Sequence, residues 1–248
     1  MDISEKDLQL KLLSKNPIYV DKIPIYSVSI EEITEYGYDR YFQSLQLFCI
    51  TKEKVEEYFI NDEFLKDKFE EINGVHIYSF LSFYMSNNEE IRNDILDILS
   101  FLCKASTDFS EDTGIISINN IEINIDILLK MQLILRKRNN LTILKEDLDN
   151  PADEKTRLLL EQRKKYRQKI NQTHNGADEL TLGDLVSIFA SESKQSLDYV
   201  MKYDLYQFND QFNRLCINNN YEVDIQALMH GAKSEDIELQ HWMCKIEN

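Results

Sequence analysis

Three residues near the C-terminal end of the sequence could together bind a metal ion. His241 and Cys244, spaced His-x-x-Cys, would share one helical face, and His230 could fold back to supply a third ligand. Zinc sites usually take four ligands, and no paired Cys-x-x-Cys completes this set. A structural reading suits the residues better, because they flank Trp242, whose large apolar ring would anchor the tail on the core. No metal is therefore expected.

The next candidate is electrostatic. Between Pro151 and Gln172, Lys155, Arg157, Arg163, Lys164, Lys165, Arg167 and Lys169 face Asp153, Glu154 and Glu161, seven cations against three acids and a local excess of +4. Arg163, Lys164, Lys165 and Arg167 surround Tyr166, and cations interleaved with a ring can contact nucleic acid. The same cations lie in the C-terminal half of an expected helix, where they complement the negative end of its dipole without any ligand. A solvated or intramolecular charge face is favoured, ahead of an acidic protein partner and then nucleic acid. Enzymatic chemistry has little to build on. Gly37, Gly74, Gly114, Gly176, Gly183 and Gly231 are too dispersed for a phosphate-cradling loop, and His-Glu-x-x-His and Gly-x-Ser-x-Gly are missing. With 44 Asp and Glu, close carboxylate pairs arise by chance. We expect no catalytic residue, no cofactor and no enzymatic activity.

What must position these groups is a mainly helical fold. The 248 residues suffice for a sizeable core, and 43% apolar with 10% aromatic residues are globular values. Six Gly and three Pro leave little material for a turn-rich β fold. A formal charge of -16 opposes whole-surface binding to nucleic acid or anionic membrane. No stretch approaches the roughly 18 uncharged apolar residues of a membrane span. The opening "MDISEKDLQLKLL" also lacks the basic n-region of a secretory leader. A cytoplasmic location follows, with Cys49, Cys103, Cys216 and Cys244 reduced and buried.

Along the chain, a short helix over residues 3–14 precedes "NPIYVDKIPIYSVS", which reads as an extended N-terminal arm. Ser29 caps a helix over "IEEITEYGYDRYFQSLQLF", weakened at Gly37, and Thr51 caps another over "TKEKVEEYFINDEFLKDKFEEI". "VHIYSFLSFYM" and "EEIRNDILDILSFLCK" read as core helices, the second with Ile91, Ile95, Ile98, Leu99 and Leu102 at helical period. Alternation around Asn119-Asn120 predicts a β-hairpin near residues 115–125, since Asn tolerates the positive φ of a tight turn. Asp126 can cap "ILLKMQLILRKR", and "NNLTILKEDLDN" reads as a loop. Asn150 and Pro151 then open a polar helix with a narrow seam at Ala152, Leu159, Tyr166 and Ile170, fit to project or to pair with a partner helix. Thr181 and Asp184 form a capping box. The expected fold class is mainly α with a minor β part: a multi-helix globular protein with one small β-hairpin and an extended N-terminal arm. Its expected divisions are 1–140, a loop and basic projecting helix over 141–176, and a C-terminal helical subdomain over 177–248.

"YDLYQFNDQFNRL", from Tyr203 to Leu215, is unusually aromatic. On a helix Leu205, Phe208, Phe212 and Leu215 share a stripe, while Asp204, Gln207, Asp210, Gln211 and Arg214 turn away. Tyr203 and Tyr206 fall at the stripe's edge, where a ring can pack with its hydroxyl wet or can anchor a partner. Core packing is the favoured role. The order "TLGDLVSIFA", "YDLYQFNDQFNRL", "DIQALMHGAK", "DIELQHWM" resembles the C-terminal part of tail assembly chaperones from phages of low-GC Gram-positive bacteria. The N-terminal "IPIYSVSIEEITEYGYDRYFQSLQLF" is similar to that family's opening through Ile33, Gly37, Tyr41 and Leu45, and "NPADEKTRLLLEQRKKYRQK" to its middle. Tyr203 stands where the family pattern has Trp, and the linker after Ser191 is unusual.

The resemblance implies a non-enzymatic protein of the host bacterial cytoplasm. Such a protein binds the tape-measure protein, keeping it soluble while tail-tube subunits polymerise round it. Its implied partners are the tape-measure and tail-tube proteins, with self-association left open. Tyr203, Tyr206 and Met229 are the first contact candidates, with Phe208, Phe212 and Trp242 behind them. The rival readings are a structural tail protein retained in the virion and a nucleic-acid-binding regulator acting through the basic helix over 155–169.

Overall fold

The computed structural model describes residues 4–51, 77–141, 180–231, 233, 237 and 239–244. Ser4 opens α1 (Glu5–Leu13), its hydroxyl accepting from the Asp7 amide at 3.2 Å. The expected arm is a two-stranded antiparallel hairpin, β1 (Ile18–Val20) and β2 (Ile23–Ile25), with Ile18 opposite Ile25 and Val20 opposite Ile23. Alternation puts these four aliphatics on one face, none more than 3% exposed, and Asp21 makes the turn at φ 52. The single helix expected after Ser29 is two, α2 (Ile30–Tyr36) and α3 (Tyr38–Phe48). Gly37 at φ 99 breaks them apart, a backbone conformation that ends a helix and that glycine adopts without steric cost.

α4 (Ile77–Asn87) buries Phe80, Leu81 and Met85 but leaves Phe83 exposed, so it is less interior than its composition suggests. α5 (Glu89–Cys103), capped by Asn88, buries Ile95, Ile98, Leu99 and Leu102 as its period predicts. A three-stranded meander follows: β3 (Thr107–Ser110), β4 (Ile115–Ile118) and β5 (Ile121–Glu122). The expected Asn119-Asn120 turn is present, both residues at positive φ, and β3 adds a strand before it, joined to β4 by the turn over residues 111–114. α6 (Ile125–Arg138) is capped by Asn124, whose side chain accepts from the Ile127 amide at 2.9 Å. The Asp126 expected as cap lies inside the first turn. α3 and α4 pack on α5, while α5 and α6 pack on the strands of the first hairpin.

Two compact units result, one of Met1–Leu141 with Met201–Asn248 and one of Thr142–Val200. The second unit contains α7 (Leu182–Ser193), opened by the expected Thr181–Asp184 capping box, and the short α8 (Leu197–Val200), which packs on it. In the first unit α9 (Leu205–Met229) packs on α1 and α6. The helices expected from Thr51 and Asn150, and with them Arg163, Lys164, Lys165 and Arg167, lie outside the described residues. The described part is thus mainly α, nine helices with two small antiparallel sheets.

Gly114, at φ 67 between β3 and β4, offers a direct check of this packing. A Cβ there would collide with Ser82 Oγ on α4. Gly114→Ala is expected to cost about 1 to 3 kcal/mol in thermal unfolding. Adding Ser82→Ala relieves the collision but not the backbone cost, so the double variant should recover part of the loss.

Candidate functional site

The aromatic stretch begins where the chain returns to the N-terminal body. Asp204 caps α9: its Oδ1 accepts from the Gln207 amide at 2.8 Å, and Gln207 Oε1 accepts from the Asp204 amide at 3.3 Å. Ser29 caps α2 in the same way, its hydroxyl accepting from the Glu32 amide at 3.2 Å while Glu32 accepts from the Ser29 amide at 2.8 Å. The two capping residues face each other in an antiparallel bridge, and Ser27 donates its hydroxyl to the other Asp204 oxygen. The Ile30 and Glu31 amides then donate to the carbonyls of Tyr203 at 2.9 Å and Met201 at 3.0 Å. All four N–H groups that a helix start leaves without an intrahelical acceptor are therefore satisfied in α2, two of them by the returning segment. Lys15 to the Lys202 carbonyl at 2.7 Å and Gln207 to the Leu13 carbonyl at 2.8 Å complete the seam.

Behind the seam lie buried polar groups. Arg138, 3% exposed, donates to the carbonyls of Ile25 at 3.3 Å and Asn16 at 3.0 Å, and its Nε has no protein acceptor. Tyr41 donates to Asn139 at 2.7 Å, and Asn139 donates to the Leu135 carbonyl at 2.9 Å. Arg138, Asn139, Tyr41 and Asp204 share the wall of a cavity of about 10 Å³. Burial pushes the Asp204 carboxyl above its ordinary range, against the Gln207 and Ser27 hydrogen bonds and the charges of Arg138 and Lys15. Burial likewise lowers Arg138, opposed by Asp204 and Tyr41, and raises the Tyr41 phenol. The cavity is far below the roughly 300 Å³ at which small-molecule sites begin. The neighbouring crease of about 140 Å³, lined by Lys15, Ser27, Ser29, Glu32 and Lys202, also falls short, and both its hydroxyls already donate to carboxylates. These groups build a joint.

The candidate contact residues separate into core and surface. Phe208 is fully buried and Tyr206 is 9% exposed, so neither offers a face to a partner in this arrangement, and the wet edge expected for Tyr206 is absent. Asp204 and Asp210, expected to turn outward, are 3% and 6% exposed: one is the cap, and the other accepts from Arg214 at 3.2 Å. Tyr203 and Phe212 are half-buried, the Phe212 ring 5.8 Å from that of Phe208. Beyond Asp210 α9 buries no residue. Ile217, Tyr221, Ile225 and Leu228 recur there half-buried, and Val223 and Met229 are exposed. Trp242 does not anchor the tail in the core. It stays 42% exposed and stacks on His241, whose ring lies 5.0 Å from that of Tyr221.

The metal reading of His230, His241 and Cys244 gains nothing. Among the described residues no three His, Cys, Asp or Glu side chains gather as an ion would need. His230 Nδ1 lies 2.7 Å from the Gln226 carbonyl, and His241 Nδ1 accepts from the Met243 amide at 3.1 Å. Cys49 and Cys103 are buried thiols pushed up to about 12 by burial, whereas Cys216 is exposed on α9, against the expectation that all four are interior. Among the described residues no helix is long and apolar enough to cross a membrane.

Residues 169–247 match the family described as YomV second domain, a family of phage type. The matched span takes in α7, α8, α9 and the tail, and points to a phage protein. No curated protein and no solved structure matches the chain.

Proposed function

We propose that this chain is a non-enzymatic phage tail assembly chaperone. It binds the tape-measure protein, tail-tube subunits or both during tail morphogenesis in the host bacterial cytoplasm. The observation that carries the reading is the outer half of α9 with its tail. There a helical segment with no buried residue carries Val223 and Met229, and the tail carries Trp242 and Met243, all more than 40% exposed. Exposed apolar side chains of this kind suit the apolar seam of a long coil. The net charge of -16 would keep such a complex dispersed. Further support comes from the phage-type match over residues 169–247 and from the tail-chaperone resemblance of "YDLYQFNDQFNRL" and its flanks.

Co-expression with the tape-measure protein of the same operon should give a soluble complex that elutes as one species on sizing. Met229→Asp, at a residue 81% exposed and thus neutral for the fold, should weaken it. Independent migration of the two wild-type proteins would defeat the reading. Mass spectrometry of purified particles separates it from the structural alternative, because a chaperone leaves the mature virion and a tail component stays.

A further inference from the structure

We propose that the segment Met201–Gln207 is a releasable clasp. It fastens α9 to the N-terminal body, and its opening, short of global unfolding, uncovers Leu205, Tyr206 and Phe208 as an apolar helix face.

Three observations on the chain alone lead there. First, the grip is short: of the 25 residues of α9 only Leu205, Tyr206, Phe208 and Asp210 are buried, all within its first two turns. Second, each side keeps its own cap when parted. α2 retains the Ser29–Glu32 box and α9 retains the Asp204–Gln207 box, so separation returns to water the Ile30 and Glu31 amides and the Lys15, Ser27 and Gln207 side-chain donors, and melts neither helix. Third, the joint is costly because it buries charged groups in a core that is mostly apolar. It buries the Asp204 carboxylate and the Arg138 guanidinium, the latter with an unpartnered Nε, beside a small cavity. Local opening follows the contacts with the least net stabilisation, and this seam has that character.

The charged and titratable groups that bear on Asp204 are Arg138 of α6, Lys15 ahead of β1 and Tyr41 of α3, with Glu32 of α2 and Lys202 bordering the crease outside. Burial raises the Asp204 pKa in the clasped state. Its contribution is therefore fully present below the ordinary carboxylate value of about 4 and is lost as pH rises through the raised value. The clasp opens more readily at neutral pH than in mild acid.

Native-state hydrogen exchange on the full chain tests this. The Ile30 and Glu31 amides should exchange together, in one event about tenfold or more faster than the α5 amides of Ile98 and Leu99. Asp204→Ala should speed that event by about another tenfold and leave α5 unchanged, whereas Asp204→Asn, which keeps the cap and removes the charge, should not speed it. Should Asp204→Ala fail to fold, Ser27→Ala removes a single seam bond and should accelerate the same amides a few-fold. Exchange of Ile30 and Glu31 at the α5 rate, or equal acceleration of α5 by any of these variants, would overturn the clasp.

Discussion

Arg138→Ala is expected to remove about 3 to 5 kcal/mol of stability, the largest effect of any charged residue described here. Deleting the guanidinium removes one of the two cations, with Lys15, that favour the buried Asp204 carboxylate, and strips the Ile25 and Asn16 carbonyls of their donor. Arg138→Lys should rescue little, because a single ammonium nitrogen lacks the planar fork that sets Nη1 on the Ile25 carbonyl and Nη2 on the Asn16 carbonyl. Arg40 is the control. It pairs with Asp97 at 2.7 Å, but both side chains are more than half exposed, so Arg40→Ala should cost under about 1 kcal/mol. Denaturant unfolding reads both, provided the m-value holds. If Arg138→Ala came within about 1 kcal/mol of wild type, the interior would be hydrated enough to do without the pair. A cycle with Asp204→Asn apportions the effect: neutralising Asp204 removes the stranded charge, so the double variant should lose less than the two single losses combined.

What was legible in the sequence depended on how locally it was encoded. The α5 period, the Asn119-Asn120 turn and the Ser29 and Thr181 boxes each lie within a few residues and need no partner to be recognised. Asp204 was misplaced because a helical wheel treats a capping residue as part of the helix, when its side chain folds back over the first turn. Tyr206 is buried beside a seam whose partners, such as Leu13 for Gln207, lie near the other end of the chain. Arg138 ends a run of three cations that looks like ordinary dipole compensation, and its acceptors at Ile25 and Asn16 have no local signature. The first hairpin turns on Asp21-Lys22, without the Asn-Gly or Asp-Gly pair that marks such turns, and prolines on either side made the segment read as an open arm. For the contact surface, the composition of α9 showed that rings were present but not which were covered. That depends on the fold closing through residues 201–207.

Phe208→Ala is expected to cost about 3 to 5 kcal/mol, with Phe212→Ala costing much less and Met229→Ala almost nothing. The order follows exposure along one helix: Phe208 is 0% exposed, Phe212 half-buried and Met229 81% exposed. Losing the Phe208 ring opens a cavity in the only part of α9 that grips the body, so the first turns of the helix should loosen before α5 does. Complex formation should run the other way. Met229, 81% exposed, belongs to the proposed contact surface, so its replacement should weaken co-elution with the tape-measure protein while the melting temperature stays put. Phe208→Ala should lower the melting temperature first and affect binding only through the fraction folded. Near-equal stability losses along the three positions would mean that the far half of α9 is packed as tightly as its start. Binding loss at Phe208 with no stability loss would mean that this ring meets the partner directly, and that the resting state of α9 is the released one.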